Sequence, residues 1–121
     1  MATALIVEDV QTDRMILTSY LEAAGFLVSF AMNGEDALNH LSINKPDIVF
    51  LDIILPGRSG FEICRAIKSQ QDTQKIPVVM CSTKNTDMDR FWGLKQGADR
   101  YLSKPLNRAE LLDILQKIAL G

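Results

Sequence analysis

Short apolar runs, each followed by a stripe of helical period, constrain this chain more than anything else in its sequence. Ile48-Val49-Phe50-Leu51 has no polar break and is rich in β-branched and aromatic side chains, which suits a central strand buried on both faces of a parallel sheet. Ala4-Leu5-Ile6-Val7, Phe26 to Ala31, Val78-Val79-Met80-Cys81 and the briefer Tyr101-Leu102 read as four more strands. Between them lie the stripes. Leu17, Tyr20, Leu21 and Ala24 fall at i, i+3, i+4 and i+7 within Thr12 to Ala24, and Gly25 is the expected stop. Asn33-Gly34 leads into Ala37, Leu38 and Leu41, and Pro46 forces the exit. Ser59 is placed to cap a helix carrying Gly60, Ile63, Cys64 and Ile67. Asp87 to Gln96 has helical length and the weakest stripe, Met88, Phe91 and Trp92, and ends at Gly97. Asn107 can cap a last helix on which Leu111, Ile114, Leu115 and Ile118 share one side.

Strands and helices alternating at this rhythm predict a parallel sheet covered on both faces, since each right-handed crossover lays its helix against the sheet. The expected architecture is α/β and doubly wound, with five strands in the order 2-1-3-4-5 and five helices on two faces. At 121 residues and 47% hydrophobic composition, one domain spanning 1–121 is expected, with no output domain attached. The net charge of −2, without clustered Lys or Arg, argues against a nucleic-acid partner. No signal-peptide pattern and no apolar run of spanning length are present, so a cytoplasmic protein without membrane association is expected. Cys64 and Cys81 form no metal or redox spacing and read as buried thiols.

In an open α/β sheet the functional crevice lies beyond the carboxyl ends of the strands, beside the point where strand order reverses. The ends of strands 1, 3, 4 and 5 deliver Glu8 and Asp9, Asp52, Ser82 and Thr83, and Lys104 to that edge. Each has an ordinary explanation alone: Glu8-Asp9 as helix caps, Ser82-Thr83 as a turn, Lys104 as a solvated charge. Together they make an unusual set. Three neighbouring carboxylates repel one another unless a cation joins them, and a hard divalent ion with oxygen ligands answers that need, Mg2+ first and Mn2+ second. Glu8 and Asp9 are the expected holders of the metal. Asp52, on the central strand, is the expected nucleophile that becomes an aspartyl phosphate. The Ser82 hydroxyl and the Lys104 ammonium are expected to bond phosphoryl oxygens.

Glu8-Asp9, Asp52 with Leu55-Pro56 and Gly60, Ser82-Thr83, Tyr101 and Lys104-Pro105 resemble the full signature of a CheY-like response-regulator receiver domain, from the first strand to the last helix. The resemblance implies a flavodoxin-like fold and Mg2+-dependent phosphorylation of Asp52 by a histidine kinase or phosphotransfer domain. It also implies that Asp52 and the backbone carbonyl of Ile54 join the metal ligands, and that Ser82 and Tyr101 move together as a switch. A downstream protein target is implied on the face of the fourth helix, fifth strand and fifth helix. The implied protein is a signalling phosphoacceptor without turnover of external substrates, a monomer or else a dimer. Thr83-Lys84, Trp92-Gly93, Gln96-Gly97-Ala98, Tyr101-Leu102 and Lys104-Pro105 are similar to stand-alone PilH-type regulators, which implies a chemotaxis-like kinase in type IV pilus twitching motility or phototaxis.

Two positions depart from the family pattern. Glu8 stands where Asp is commoner, lengthening a ligand arm while keeping its charge, and Ile54 stands where a polar residue is usual. A phosphatase of the haloacid-dehalogenase type would need an acid at Ile54. A flavodoxin-like flavin carrier would need a phosphate loop where Glu8-Asp9 stand. The remaining alternative is a receiver-shaped adaptor that works without phosphorylation. The Lys104-Pro105 peptide is expected to be cis, which would aim Lys104 back toward Asp52.

Overall fold

The computed structural model describes residues 2–120, so the first and last residues of the expected 1–121 domain lie outside the described residues. Ten elements alternate along the chain: β1 (Thr3–Val7), α1 (Gln11–Ala23), β2 (Leu27–Ala31), α2 (Gly34–Ile43), β3 (Ile48–Leu51), α3 (Gly60–Ser69), β4 (Val78–Ser82), α4 (Asp87–Lys95), β5 (Arg100–Ser103) and α5 (Arg108–Leu120). The strands form one parallel sheet in the order β2-β1-β3-β4-β5. Strand order therefore reverses beside β1 and β3, where the crevice is expected to open.

Alternation along each strand divides the core in two. Leu5, Val7, Val49, Leu51, Val78 and Met80 pack with Ala37 and Leu41 of α2 and with Ile63, Cys64 and Ile67 of α3. Ala4, Ile6, Ile48, Phe50, Val79, Cys81 and Leu102 pack with Leu17 and Leu21 of α1 and with Leu111 and Ile114 of α5. Strands covered on both sides cannot alternate in polarity, which is why their sequences read as unbroken apolar runs. Each fully buried Leu, Ile or Phe contributes roughly 1.5–3 kcal/mol relative to exposure. Leu5, Ile6, Phe50 and Leu51, all buried, therefore anchor the two central strands from both faces.

The caps follow the expected chemistry. Ser59 and Asn33 accept hydrogen bonds from the backbone N–H groups of Glu62 and Asp36, and Asn107 accepts from Glu110. Gly25 takes a φ of +93° after α1. Two stripe assignments need correction. Ala24 is not part of the buried stripe of α1: it is the exposed C-cap residue. On α4 the residues Met88, Phe91 and Trp92 face solvent, and the one buried residue of the helix is Gly93. The reason is steric. A Cβ at Gly93 would lie 3.1 Å from the Tyr101 ring and 3.0 Å from the Met80 sulfur, so α4 meets the sheet through bare backbone and turns its large side chains outward.

Gly60 sets the distance between α3 and the end of β3. Its N–H donates to the Ile53 carbonyl at 2.8 Å, and a Cβ there would sit 2.0 Å from the Asp52 carbonyl oxygen and 2.7 Å from Ile53 Cα. Gly57 differs: its φ of +76° disfavours side chains, yet nothing lies within 4 Å of the place a Cβ would take. Gly57→Ala is expected to cost about 1–2 kcal/mol from backbone conformation alone. Gly60→Ala is expected to cost about 3 kcal/mol or more, because backbone must move to admit the methyl group. Urea unfolding of the two variants measures the difference, and equal costs would contradict it.

Candidate functional site

Each strand-end residue inherits the alternation of its strand. Glu8 continues the side of Ala4 and Ile6, Asp52 that of Ile48 and Phe50, and Lys104 that of Leu102. All three therefore meet on the face covered by α1 and α5. The Lys104 ammonium donates to Glu8 Oε1, to Asp52 Oδ2 at 3.1 Å and to Asp13 Oδ2 at 2.8 Å. The side chains of Glu8, Asp52 and Lys104 are nearly out of solvent. Lys104 is carried to them from the end of β5, its backbone N–H donating to the Ser82 carbonyl and its peptide bond to Pro105 being cis.

Glu8, Asp9 and Asp52 each offer a carboxylate oxygen within 4.8 Å of the others. Such a set of hard, anionic oxygens suits a divalent cation such as Mg2+ and gives nothing to a soft metal. The second oxygen of Glu8 accepts from the Val10 N–H at 3.3 Å, and Asp52 Oδ1 accepts from the Ile54 N–H at 3.3 Å. Arg14 donates to the Glu8 carbonyl at 3.0 Å and so ties the β1–α1 turn to the first helix. The N-cap position of α1 is Val10, without a side-chain cap, so neither Glu8 nor Asp9 occupies it.

Ser82 and Tyr101 follow the opposite alternation, with Val78 and Met80 on the α2–α3 side. Among the described residues no hydrogen bond joins the Ser82 hydroxyl to the carboxylates. The hydroxyl is fully buried, and it accepts from the Lys84 N–H at 3.2 Å. The Tyr101 ring is buried as well, and its hydroxyl donates to the Lys84 carbonyl. Lys84 backbone thus joins the two residues. Burial pushes the Tyr101 phenol up to about 12, and the Arg90 guanidinium lies 5.2 Å from the ring centroid. Ile54 is exposed at the rim, 54% accessible, with its N–H on Asp52.

Asp13 was not among the residues singled out from the sequence. Its signal was available: positions 13, 17 and 21 lie on one side of α1, and Leu17 and Leu21 are its buried residues. The buried stripe therefore continues one turn toward the helix N-terminus as a carboxylate. A cleft of about 220 Å³ lined by Asp13, Ile16, Tyr20, Lys104, Pro105 and Leu106 opens beside it.

Residues 4–116 match the response regulator receiver domain. This chain belongs to the response-regulator receiver family. It is 39% identical over 121 residues to the protein PilH of Pseudomonas aeruginosa, the match covering 100% of both chains. The chemotaxis response regulator CheY4 of Vibrio cholerae superposes with a TM-score of 0.90 at 30% identity, covering 98% of each chain. The receiver domain of the sensor histidine kinase PA1611 from Pseudomonas aeruginosa, solved with a magnesium ion coordinated in its active-site cleft, gives 0.91 at 28% identity over 99% of this chain and 98% of that one. The chain is thus a CheY-like receiver of the two-component class, a signalling domain and not a classical enzyme.

Charge in this receiver's cleft is unbalanced, because four carboxylates face one ammonium. Burial raises the Glu8 carboxyl to about 7 against the opposing hydrogen bond from Lys104, and the neighbouring Asp52 adds to the rise. Burial alone would lower Lys104, but its hydrogen bonds to Asp13, Glu8 and Asp52 outweigh that and hold it above its ordinary value. For Glu8 the folded value lies above the unfolded 4.5, so its contribution to stability is full below about pH 4.5 and is lost as pH rises through about 7. Without divalent cations, Glu8→Gln is expected to melt above the parent at pH 8 and to lose that advantage at pH 4, as followed by circular dichroism. A variant that melts below the parent at pH 8 would show that the ion pair with Lys104 outweighs the burial of charge.

Proposed function

We propose that this receiver accepts a phosphoryl group on Asp52 from a histidine kinase or phosphotransfer domain and signals by contact with a downstream protein. The observation that carries the reading is the convergence of Lys104 and two further metal-competent carboxylates, Glu8 and Asp9, on Asp52. An Asp52 carboxylate oxygen would attack phosphorus in line with the donor's P–N bond, forming the acyl phosphate as that bond breaks and the imidazole takes up a proton. Lys104, already on Asp52, would pair with a phosphoryl oxygen. Glu8, Asp9, Asp52 and the backbone carbonyl of Ile54 would hold Mg2+, or Mn2+ in its place, which supplies charge to offset the transferring oxygens.

Ser82 and Tyr101 would report the event. The hydroxyl accepts from the Lys84 N–H and keeps its own proton to donate to the phosphoryl group, and Tyr101 is bonded to the carbonyl of the same residue. A shift in the Lys84 backbone would loosen the phenol and, through the ring, the helix that rests on it. The proposed target surface is α4–β5–α5, where Met88, Phe91, Trp92 and Leu94 of α4 and Leu112 of α5 are exposed. The likeness to PilH supports placing the chain in a PilH-type pathway, under a chemotaxis-like kinase of type IV pilus twitching motility or phototaxis. We place the protein in the cytoplasm, and among the described residues no helix is long and apolar enough to cross a membrane.

Phosphotransfer from chemotaxis-like kinases of the source cell, with and without Mg2+, tests this reading. Asp52→Asn is expected to fold and to accept nothing. Normal labelling of that variant would refute the assignment, and an unlabelled parent would favour the adaptor that works without phosphorylation.

The lifetime of the acyl phosphate follows from two side chains at the rim. Ile54 offers hydrocarbon there, and the Lys84 ammonium has no acceptor with which to orient an attacking water. Replacing both with polar acceptors, Ile54→Asn with Lys84→Glu, is expected to speed dephosphorylation roughly tenfold, a barrier change of about 1.4 kcal/mol. Decay after donor removal, compared in the same Mg2+, measures it. Equal decay, or a faster parent, would place control of water elsewhere.

A further inference from the structure

Lys104 carries three N–H donors and spends them on three carboxylates of unequal kind. Glu8 and Asp52 also belong to the group whose oxygens lie within 4.8 Å of one another, and Asp13 does not. Both oxygens of Glu8 are engaged, by Lys104 and by the Val10 N–H, as are both of Asp52, by Lys104 and by the Ile54 N–H. A cation entering between them shares these oxygens with the ammonium, and its positive charge weakens the ammonium's hold on them. The Lys104 side chain is only 11% exposed, so an ammonium stripped of its partners would remain buried and unpaired, at a large cost.

We propose that Asp13 is a positioning residue that keeps Lys104 paired while a divalent cation takes Glu8 and Asp52, and so eases loading of the cation. This rests on the reading above that Glu8, Asp9 and Asp52 bind Mg2+. Asp13 stands on the first turn of α1, a helix anchored by Leu17 and Leu21, so its carboxylate stays beside Lys104 when the loop carboxylates turn to the metal. Without it, Lys104 has only Glu8 and Asp52 to hold, and it competes with the cation for both. Asp13 also adds plain electrostatic attraction for Mg2+, which acts whether or not Lys104 is present.

A double-mutant cycle separates the two effects. Mg2+ affinity of the unphosphorylated protein is measured by calorimetry for the parent, Asp13→Asn, Lys104→Met and the double variant. The loss of affinity on Asp13→Asn is expected to be about threefold or more greater with Lys104 present than in Lys104→Met. Equal losses in the two backgrounds would overturn the role of Asp13 through Lys104 while leaving the metal site intact. A parent that takes up no Mg2+ would overturn the metal reading and this one with it. Should Lys104→Met fail to fold, the Lys104 ammonium itself is observed by proton–nitrogen NMR in Mg2+-saturated protein. Held by Asp13, its protons are expected to exchange slowly enough to give a signal that Asp13→Asn abolishes, and a signal that survives in Asp13→Asn would overturn the proposal.

Discussion

A side chain that follows a strand keeps the strand's alternation, and in this sheet that rule sorts the whole site. Glu8, Asp52 and Lys104 leave β1, β3 and β5 on the side of α1 and α5, where they form one ion cluster. Ser82 and Tyr101 leave β4 and β5 on the other side, toward α4. The proposed chemistry and the proposed readout therefore leave the sheet on opposite sides, and within the readout the backbone of Lys84 joins Ser82 to Tyr101. A one-residue slip in any of these strands would exchange the two sides, so the buried apolar runs that pin the register also pin the site.

Attraction to the Lys104 ammonium holds the cluster together against a charge imbalance. One buried ammonium stands against four carboxylates, and burial, with the neighbouring Asp52 adding to it, raises the Glu8 carboxyl. A protein of this size tolerates such a site because the surrounding strands are anchored on both faces. The same imbalance leaves the site suited to accept positive charge.

Much of this was legible in the sequence because parallel strands and their helices leave opposite signatures, period 2 suppressed by double burial and period 3.6 retained. The five runs, the strand order and the caps at Ser59 and Asn107 follow from those signatures and from local chemistry. Glu8-Asp9, Asp52 and Lys104 stood out because they lie just beyond apolar runs. Asp13 was passed over because it sits inside a helix, where a carboxylate reads as ordinary first-turn polarity unless the stripe of Leu17 and Leu21 is extended backward. The α4 stripe misled for a different reason. Its Met, Phe and Trp have the composition of a core face, and only contact between Gly93 and the Tyr101 ring reveals that the helix packs by its smallest residue.

In the proposed function the carboxylate of Asp52 is the chemical acceptor of the phosphoryl group. Borohydride reduction of phosphorylated protein converts an aspartyl phosphate to homoserine, and peptide mass spectrometry then locates the changed residue. That conversion is expected at Asp52, dependent on Mg2+ during phosphorylation. Conversion at Glu8, Asp9 or Asp13 in its place, or label that resists borohydride altogether, would contradict it.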